Sequence, residues 1–370
     1  MPRTAYLDWN ATAPVRPEVA AAMAEALARC GNPSSVHRFG RAARQALEAA
    51  RAQVAALIGA APAEIVFTSG GTEANQLALR GLAGRRLLVS ALEHDSVRQG
   101  ARAATLVPAT EAGIVDLAAL ERMLAAEPRP ALVSLMLANN ETGAIQPVAE
   151  AATLAHAHGA LLHCDAVQAA GKIPVEMRAL DADLLSLSAH KLGGPQGVGA
   201  LAIADGVALA ALQTGGGQER GRRAGTENLP GIVGFGLACR IAAERLGDYA
   251  GVARLRDWAE RRLAEIAPEA PIYARQVARL PNTLAIGMPD VPAATQVMAL
   301  DLAGVMVSAG AACSSGKVRR SAVLEAMGVP DEAAESAIRV SLGWSTEEGE
   351  IDQLVEAWGA LYARSRANAA

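Results

Sequence analysis

Continuous apolar runs alternate with helix-like segments through the first two thirds of this 370-residue chain. Residues 87–90, 131–136, 161–163 and 184–187 are such runs, which predict a parallel sheet covered on both faces by helices. The carboxyl ends of the strands form the binding crevice in an α/β fold of this kind. We therefore expect one site to collect the polar residues that follow the runs, which are His94, Asn140, Asp165, Gln168 and Lys191.

The composition argues against several classes of partner. Hydrophobic residues make up 51%, charged residues 19% and aromatic residues 3%, which is typical of a globular protein with small, close-packed side chains. A net charge of -4 without a polybasic run disfavours nucleic acid and anionic membrane as partners. The beginning of the chain lacks the apolar core of a signal peptide, and we expect a cytoplasmic protein.

The four cysteines are scattered and form no Cys-x-x-Cys pair, so we expect neither a metal site nor a disulfide framework. Cys164 and Cys239 lie in apolar segments and are interpreted as buried hydrophobic residues. Cys30 precedes a turn and is ambiguous. Cys313 is different, because small residues surround it and are expected to leave its sulfur accessible.

Lys191 follows the last of the four apolar runs and is itself followed by glycines. A lysine at a strand end inside a cleft can lose its proton and attack an aldehyde such as that of pyridoxal phosphate (PLP). Taken alone, the pattern is more typical of an ordinary lysine that opens a glycine-rich turn. The interpretation therefore depends on whether the chain also supplies the other groups that PLP needs.

Each requirement of PLP has a candidate at a strand end. Asp165 can pair with the ring nitrogen, Gln168 can donate to the phenolic oxygen, and His94 can stack on the ring. The phosphate can bind to the amides and hydroxyls of Gly71, Thr72, Ser188 and His190, since Thr72 begins a predicted helix. Singly, His94 could be a surface residue and Asp165 or Asn140 a turn residue, but their joint occurrence in this order favours a PLP site.

These motifs give the chain a clear resemblance to the cysteine desulfurases, a family in the class V aminotransferase group of fold-type I PLP enzymes. The matching segments are 6–8, 11–12, 31–37, 68–75, 93–94, 139–143, 163–168, 188–191, 223–226, 308–315 and 339–343. The resemblance is specific because the cofactor lysine and the cysteine of the 308–315 segment occur together.

The resemblance implies an α/β fold with two domains. Residues 14–250 would form a large PLP-binding domain, in which a mainly parallel seven-stranded sheet lies between helices. Residues 1–13 and 251–370 would form a smaller α+β domain that carries the loop of Cys313. Two such subunits would form a homodimer.

The resemblance also implies roles for single residues. Lys191 would carry PLP and act as a catalytic residue together with His94, while Thr226 would contact the phosphate bound to the neighbouring subunit. Arg339 would bind the substrate carboxylate with the help of Asn140. Cys313 would attack the sulfur of L-cysteine and hold it as a persulfide while L-alanine leaves.

Several alternatives stay open at the level of sequence. The same scaffold could act on selenocysteine or cysteine sulfinate, or it could be a transaminase, which would need no Cys313. An inactive sulfur-carrier or assembly subunit is a third alternative, although Lys191, Asp165, His94 and Cys313 are all present. The segment from Ser308 to Met327 is similar to that of the family members that serve iron–sulfur cluster assembly, so we expect an acceptor or scaffold protein as a partner.

Overall fold

The structure is a computed structural model that describes residues 4–82, 84–101, 103–310 and 320–369. Its strands are β1 (Ala5–Tyr6), β2 (Ile65–Thr68), β3 (Arg86–Ser90), β4 (Thr105–Val107), β5 (Ala131–Met136), β6 (Leu161–Asp165), β7 (Leu184–Ser188), β8 (Gly199–Ile203), β9 (Thr283–Gly287), β10 (Val305–Met306), β11 (Ser308–Ala309) and β12 (Ala337–Ser341). Its helices are α1 (Pro17–Leu27), α2 (Arg38–Leu57), α3 (Gly71–Arg80), α4 (Asp95–Arg98), α5 (Leu117–Ala125), α6 (Val148–Ala157), α7 (Leu229–Glu244), α8 (Tyr249–Ile266), α9 (Ala293–Leu302), α10 (Ala322–Ala326), α11 (Asp331–Glu335) and α12 (Glu348–Ala369).

A seven-stranded sheet forms the centre of the fold, with the strand order β2-β8-β7-β6-β5-β3-β4. Its neighbouring strands are parallel from β7 to β4, while β8 is antiparallel to both β7 and β2. The prediction of a mainly parallel seven-stranded sheet is therefore confirmed.

Burial on both faces explains why the strands are mostly apolar. Alternate residues of a strand point to opposite faces. In β7, Leu185 and Leu187 belong to the core beneath α2 and α7, whereas Leu184 belongs to the core beneath α3. With helices on both sides, neither set of side chains faces water, so the pattern lacks the alternation of a half-exposed strand.

A second apolar core lies around the strands of the C-terminal part. In it, β12 pairs antiparallel with β9 and β11, and β1 pairs parallel with β10. Helices α8, α9 and α12 pack on these strands, with Trp358 and Leu263 fully buried. Leu7 from the N-terminal segment is part of the same core. The N-terminal segment and the C-terminal part of the chain therefore share one core.

Candidate active site

One cavity of about 230 Å³ lies at the carboxyl ends of the parallel strands. Nine of the residues predicted from sequence line it, namely Gly71, Thr72, His94, Asn140, Asp165, Gln168, Ser188, His190 and Lys191. Asn75, Ser96, Met136, Ala138 and Val167 complete the lining. The topology therefore brings together side chains that are up to 120 positions apart in the chain, from Gly71 to Lys191.

Lys191 lies in a short turn directly after β7, and backbone carbonyls of the N-terminal segment hold its amine. Its Nζ donates hydrogen bonds to the carbonyl oxygens of Asn10 at 2.5 Å and Ala11 at 2.8 Å. These two contacts hold the amine at the cavity, beside the end of β7.

Asp165 is the last residue of β6, which extends two residues beyond the predicted run of residues 161–163. Its Oδ2 accepts a hydrogen bond from the Asn75 side chain at 2.7 Å, and its Oδ1 accepts one from the Val167 amide at 2.9 Å. Both donors stabilise a carboxylate. Burial and the negative charge of Asp165 raise the pKa of the neighbouring Glu93 well above its ordinary value, which favours its neutral form.

His94 is connected to Asp165 through Asn75 and Ser96. Asn75 also donates to Ser96 Oγ at 2.9 Å, and Ser96 Oγ lies 2.9 Å from His94 Nδ1. The Ser96 amide donates to the same His94 Nδ1 at 3.1 Å, which makes Nδ1 an acceptor. Burial is the main cause that lowers the pKa of His94, so the ring is neutral with its proton on Nε2.

Gln168 is hydrogen-bonded at both ends of its side-chain amide. Its Nε2 donates to the Asn10 carbonyl at 3.0 Å, and its Oε1 accepts from Lys172 Nζ at 2.8 Å. Lys172 also donates to Asn10 Oδ1 at 3.0 Å. The sequence analysis did not single out Asn10, Asn75 or Lys172. Asn75 lies three residues after Thr72 in the same helix, a spacing that places the two side chains on neighbouring parts of one helical face.

The phosphate end of the cavity is formed by the first turn of α3 and the end of β7. A Cβ on Gly71 would lie 2.9 Å from Val167 Cγ2 and 3.4 Å from Ser188 Cβ, so only glycine lets the helix begin this close to them. The exposed amides of a helix N-terminus attract an anion. Burial, with the positive charges of Lys191 and Lys172, lowers the pKa of His190 to about 4, so this ring is neutral.

Arg339 is not part of the cavity lining but contacts it through Asn140. Its Nη1 donates to the Asn140 carbonyl at 3.1 Å, and its Nη2 pairs with Asp8 Oδ1 at 2.7 Å. Arg339 is 5% exposed, and its buried Nε has no hydrogen-bond partner among the described residues. The guanidinium therefore keeps a donor for a further acceptor such as a carboxylate.

Two predicted residues lie outside this arrangement. Thr226 is exposed on the loop after β8 and does not line the cavity of the same chain. On this loop, Arg223 pairs with Glu73 at 2.9 Å, which ties the loop to the first turn of α3. Cys313 lies among residues 311–319, outside the part of the chain that the structure describes, so its role stays a prediction.

The residues present fit PLP. The carboxylate of Asp165, the Gln168 amide and the neutral His94 ring all face the cavity, with Gly71 and Ser188 at the phosphate end and Lys191 within reach. Among the described residues, no cluster of three or more histidine, cysteine, aspartate or glutamate side chains could hold a metal ion. None of the described helices is long and apolar enough to cross a membrane.

Comparisons with known proteins agree with this site. Residues 5–354 match the aminotransferase class-V family. A cysteine desulfurase from Cereibacter sphaeroides is 47% identical over 366 residues, which cover 95% of this chain and 94% of that protein.

Solved structures show the same likeness. A NifS-like protein from Rickettsia africae superimposes with a TM-score of 0.91 at 35% identity, covering 98% of this chain and 100% of that one. A structure described as SspA in complex with cysteine has a TM-score of 0.78 at 29% identity and covers 92% of this chain and 99% of its own. The chain belongs to the aminotransferase class-V family of PLP-dependent enzymes, and the relative most similar to it among those described here is a cysteine desulfurase.

Proposed function

We propose that this enzyme is a PLP-dependent cysteine desulfurase, which converts L-cysteine to L-alanine and transfers the sulfur through Cys313 to an acceptor protein. The observation that carries the proposal is the convergence of Lys191, Asp165, His94 and Gln168 on one cavity beside Arg339. The similarity to a cysteine desulfurase over 95% of the chain supports it.

Different residues would bind the different parts of the cofactor. Asp165 would face the pyridine nitrogen, His94 the ring and Gln168 the phenolic oxygen, with the phosphate at Gly71, Thr72, Ser188 and His190. When bound, PLP supplies an electron sink for the negative charge that develops at the substrate Cα. Asn75 stabilises the charge of Asp165, because it donates to that carboxylate from a position that is 1% exposed.

Arg339 would bind the substrate carboxylate. Its guanidinium is already oriented by Asp8 and by the Asn140 carbonyl, and an oriented guanidinium grips a carboxylate bidentately. Lys191 would accept the proton from Cα, because its amine lies at the cavity, where the backbone carbonyls of Asn10 and Ala11 hold it.

Cys313 would complete the sulfur transfer. Its thiolate attacks the sulfur of the substrate, so that an S–S bond forms and the C–S bond of the substrate breaks. The electron pair of the broken C–S bond goes to Cβ, which takes up a proton equivalent to the one lost from the Cys313 thiol. The products are L-alanine and a persulfide on Cys313, with no net release of protons. The resemblance of residues 308–327 to members that serve iron–sulfur cluster assembly supports an acceptor or scaffold protein as the next recipient of the sulfur.

The variant Cys313→Ser tests the proposal. It should still bind PLP and still change its absorption spectrum when cysteine is added, because those steps depend on Lys191 and Arg339, but it should release neither alanine nor sulfide. Cys30→Ser is the matched control, since Cys30 is exposed and is not part of the cavity lining, and it should behave like the parent. If Cys313→Ser produces alanine and sulfide at the parent's rate, the persulfide mechanism is wrong.

We further propose that the enzyme is a homodimer in which Thr226 serves the neighbouring subunit's phosphate site. The exposed position of Thr226 supports this, because its side chain is available to a second chain. Exposed apolar side chains on and near α1 and α2 also favour a contact with another copy, with Leu27 70%, Val36 87% and Phe39 53% exposed.

We also propose the division into a large domain of residues 14–250 and a small domain of residues 1–13 and 251–370. Two separate apolar cores support it, one around the seven-stranded sheet and one that joins Leu7 to Leu263 and Trp358. Limited proteolysis provides a test, since early cleavage should fall in the mostly exposed connection between α7 and α8, residues 245–248, rather than within either core.

A further inference from the structure

Lys172 is a buried lysine beside the active site for which the proposed chemistry has no direct use. It is 3% exposed, and its Nζ donates to Gln168 Oε1 at 2.8 Å and to Asn10 Oδ1 at 3.0 Å. Both acceptors are amide oxygens. Lys172 has no ion pair among the described residues, although a buried lysine is usually paired with a carboxylate.

The composition makes this lysine unusual. Of the 34 basic residues only three are lysines, Lys172, Lys191 and Lys317, and the other basic residues are arginines. Arginine cannot lose its proton in a protein, and its wide planar head would not replace a compact amine between two amide oxygens. Two of the three lysines thus lie together at the cavity, where the specific properties of an amine matter.

The contacts of Lys172 determine which way the Gln168 amide faces. Because Oε1 accepts from Lys172, Nε2 must lie on the other side, where it donates to the Asn10 carbonyl. The same carbonyl accepts from Lys191 Nζ. Lys172 therefore holds, through Gln168 and Asn10, both the donor that faces the cofactor and the acceptor that orients the catalytic amine.

We propose that Lys172 is a positioning residue of the cofactor site, which fixes the Gln168 amide with its N–H group toward the phenolic oxygen of PLP. The inference rests on the proposed cofactor site, in which Gln168 contacts that oxygen. Without Lys172, the oxygen end of the amide would lose its donor, and among the described residues only the bond from Nε2 to the Asn10 carbonyl would hold the side chain.

The electrostatic surroundings of Lys172 agree with this role. Burial, followed by the positive charges of Lys191 and Arg339, lowers the pKa of Lys172 well below its ordinary value. Lys172 in turn helps to lower the pKa of His190. The acceptors of this amine among the described residues are the amide oxygens of Gln168 and Asn10.

The test combines Lys172→Met and Gln168→Met in a double-mutant cycle. The readouts are the Kd for PLP, from fluorescence quenching, and the pH midpoint of the bound cofactor's absorbance. Each single variant should raise the midpoint by about one pH unit, because the anionic phenolic oxygen loses a hydrogen-bond donor. The double variant should show no further change, since Lys172 acts through Gln168. Unchanged midpoints in Lys172→Met, or additive effects of the two variants, would overturn the proposal.

A second measurement does not require Lys172→Met and can be made even if that variant does not fold. Protein labelled with ¹⁵N-lysine should give at most three side-chain signals, and the Lys172 signal of the PLP-loaded parent should shift in Gln168→Met. If it does not shift, the contact between the two side chains is absent and the proposal fails. Failure of the parent to bind PLP would instead refute the proposed function, while the lysine signals of the protein without PLP would still test the contact.

Discussion

Replacing Glu141 with glutamine should make the stability of this enzyme less dependent on pH. Glu141 follows Asn140 at the cavity, and its Oε2 accepts a hydrogen bond from Ser321 Oγ at 2.5 Å. A Cβ on Gly310 would lie 3.0 Å from the same oxygen. Gly310 and Ser321 flank the segment that contains Cys313, so Glu141 connects the two ends of that segment to the active site.

Burial raises the pKa of Glu141 from 4.5 to about 7, although the hydrogen bond from Ser321 and the charge of Arg339 act in the opposite direction. The folded state therefore binds the proton more tightly than the unfolded state. The resulting stability is fully present below pH 4.5 and is lost as the pH rises to about 7. A shift of this size lowers the free energy of unfolding by about 3 kcal/mol at high pH, since each pKa unit corresponds to about 1.4 kcal/mol.

Glutamine at position 141 avoids this loss because it never ionises, and its oxygen can still accept from Ser321. As the pH rises from 5 to 8, the free energy of unfolding of Glu141→Gln should therefore increase by about 2–3 kcal/mol relative to that of the parent. Since 1 kcal/mol moves the Tm of a medium-sized domain by about 2–4 °C, the Tm of the variant should exceed that of the parent by several degrees at pH 8. Differential scanning fluorimetry across this pH range measures the difference.

The matched control is Glu332→Gln, which replaces an exposed glutamate in the same part of the chain. Its Tm should equal that of the parent at every pH. If the difference between Glu141→Gln and the parent is the same at pH 5 and pH 8, Glu141 does not titrate in this range and the reasoning from its burial is wrong. A lower Tm of the variant at pH 8 would contradict the sign of the effect.

Three further experiments test the site. Asn75→Leu removes the charge-assisted hydrogen bond that Asn75 donates to Asp165, which is worth about 1.5–3 kcal/mol. In a fluorescence titration the variant should therefore bind PLP roughly 10- to 100-fold more weakly, and an unchanged Kd would contradict the role of Asn75. Arg339→Lys should raise the KM for cysteine roughly tenfold or more with a smaller effect on kcat, because lysine cannot grip a carboxylate bidentately. Thr226→Ala and Lys191→Ala subunits, refolded together, should recover activity from the intact shared site of the mixed dimer, and no recovery would argue against a role of Thr226 across the interface.

The sequence predicts most of the cavity because strand topology determines it. Asp165 and Lys191 each follow an apolar run, and parallel strands bring their carboxyl ends to the same edge of the sheet. The identity of the strands and the position of their ends were therefore sufficient to place these residues. The antiparallel direction of β8 was not predicted, but it does not move the residues that line the site.

The residues that the sequence analysis missed depend on contacts between distant segments. Asp8 pairs with Arg339, which is 331 positions away, and no pattern around either residue indicates the other. Lys172 follows a predicted site residue by only four positions, but nothing in the pattern of that segment shows that its side chain is buried. Such contacts follow from how the second core packs on the sheet, which local spacing does not describe.

Asn10 shows why this packing matters for catalysis. Its amide accepts from Lys172 and Asn282, and donates to Thr283 in β9 and to the Asn140 carbonyl, while its backbone carbonyl accepts from Lys191 and Gln168. One residue thus connects strand β9 of the second core to the catalytic amine beside the central sheet. Any shift of the second core relative to the sheet would move the acceptor of Lys191 and change the environment of its proton. The position of the second core therefore contributes to the reactivity of Lys191, in addition to carrying the segment with Cys313.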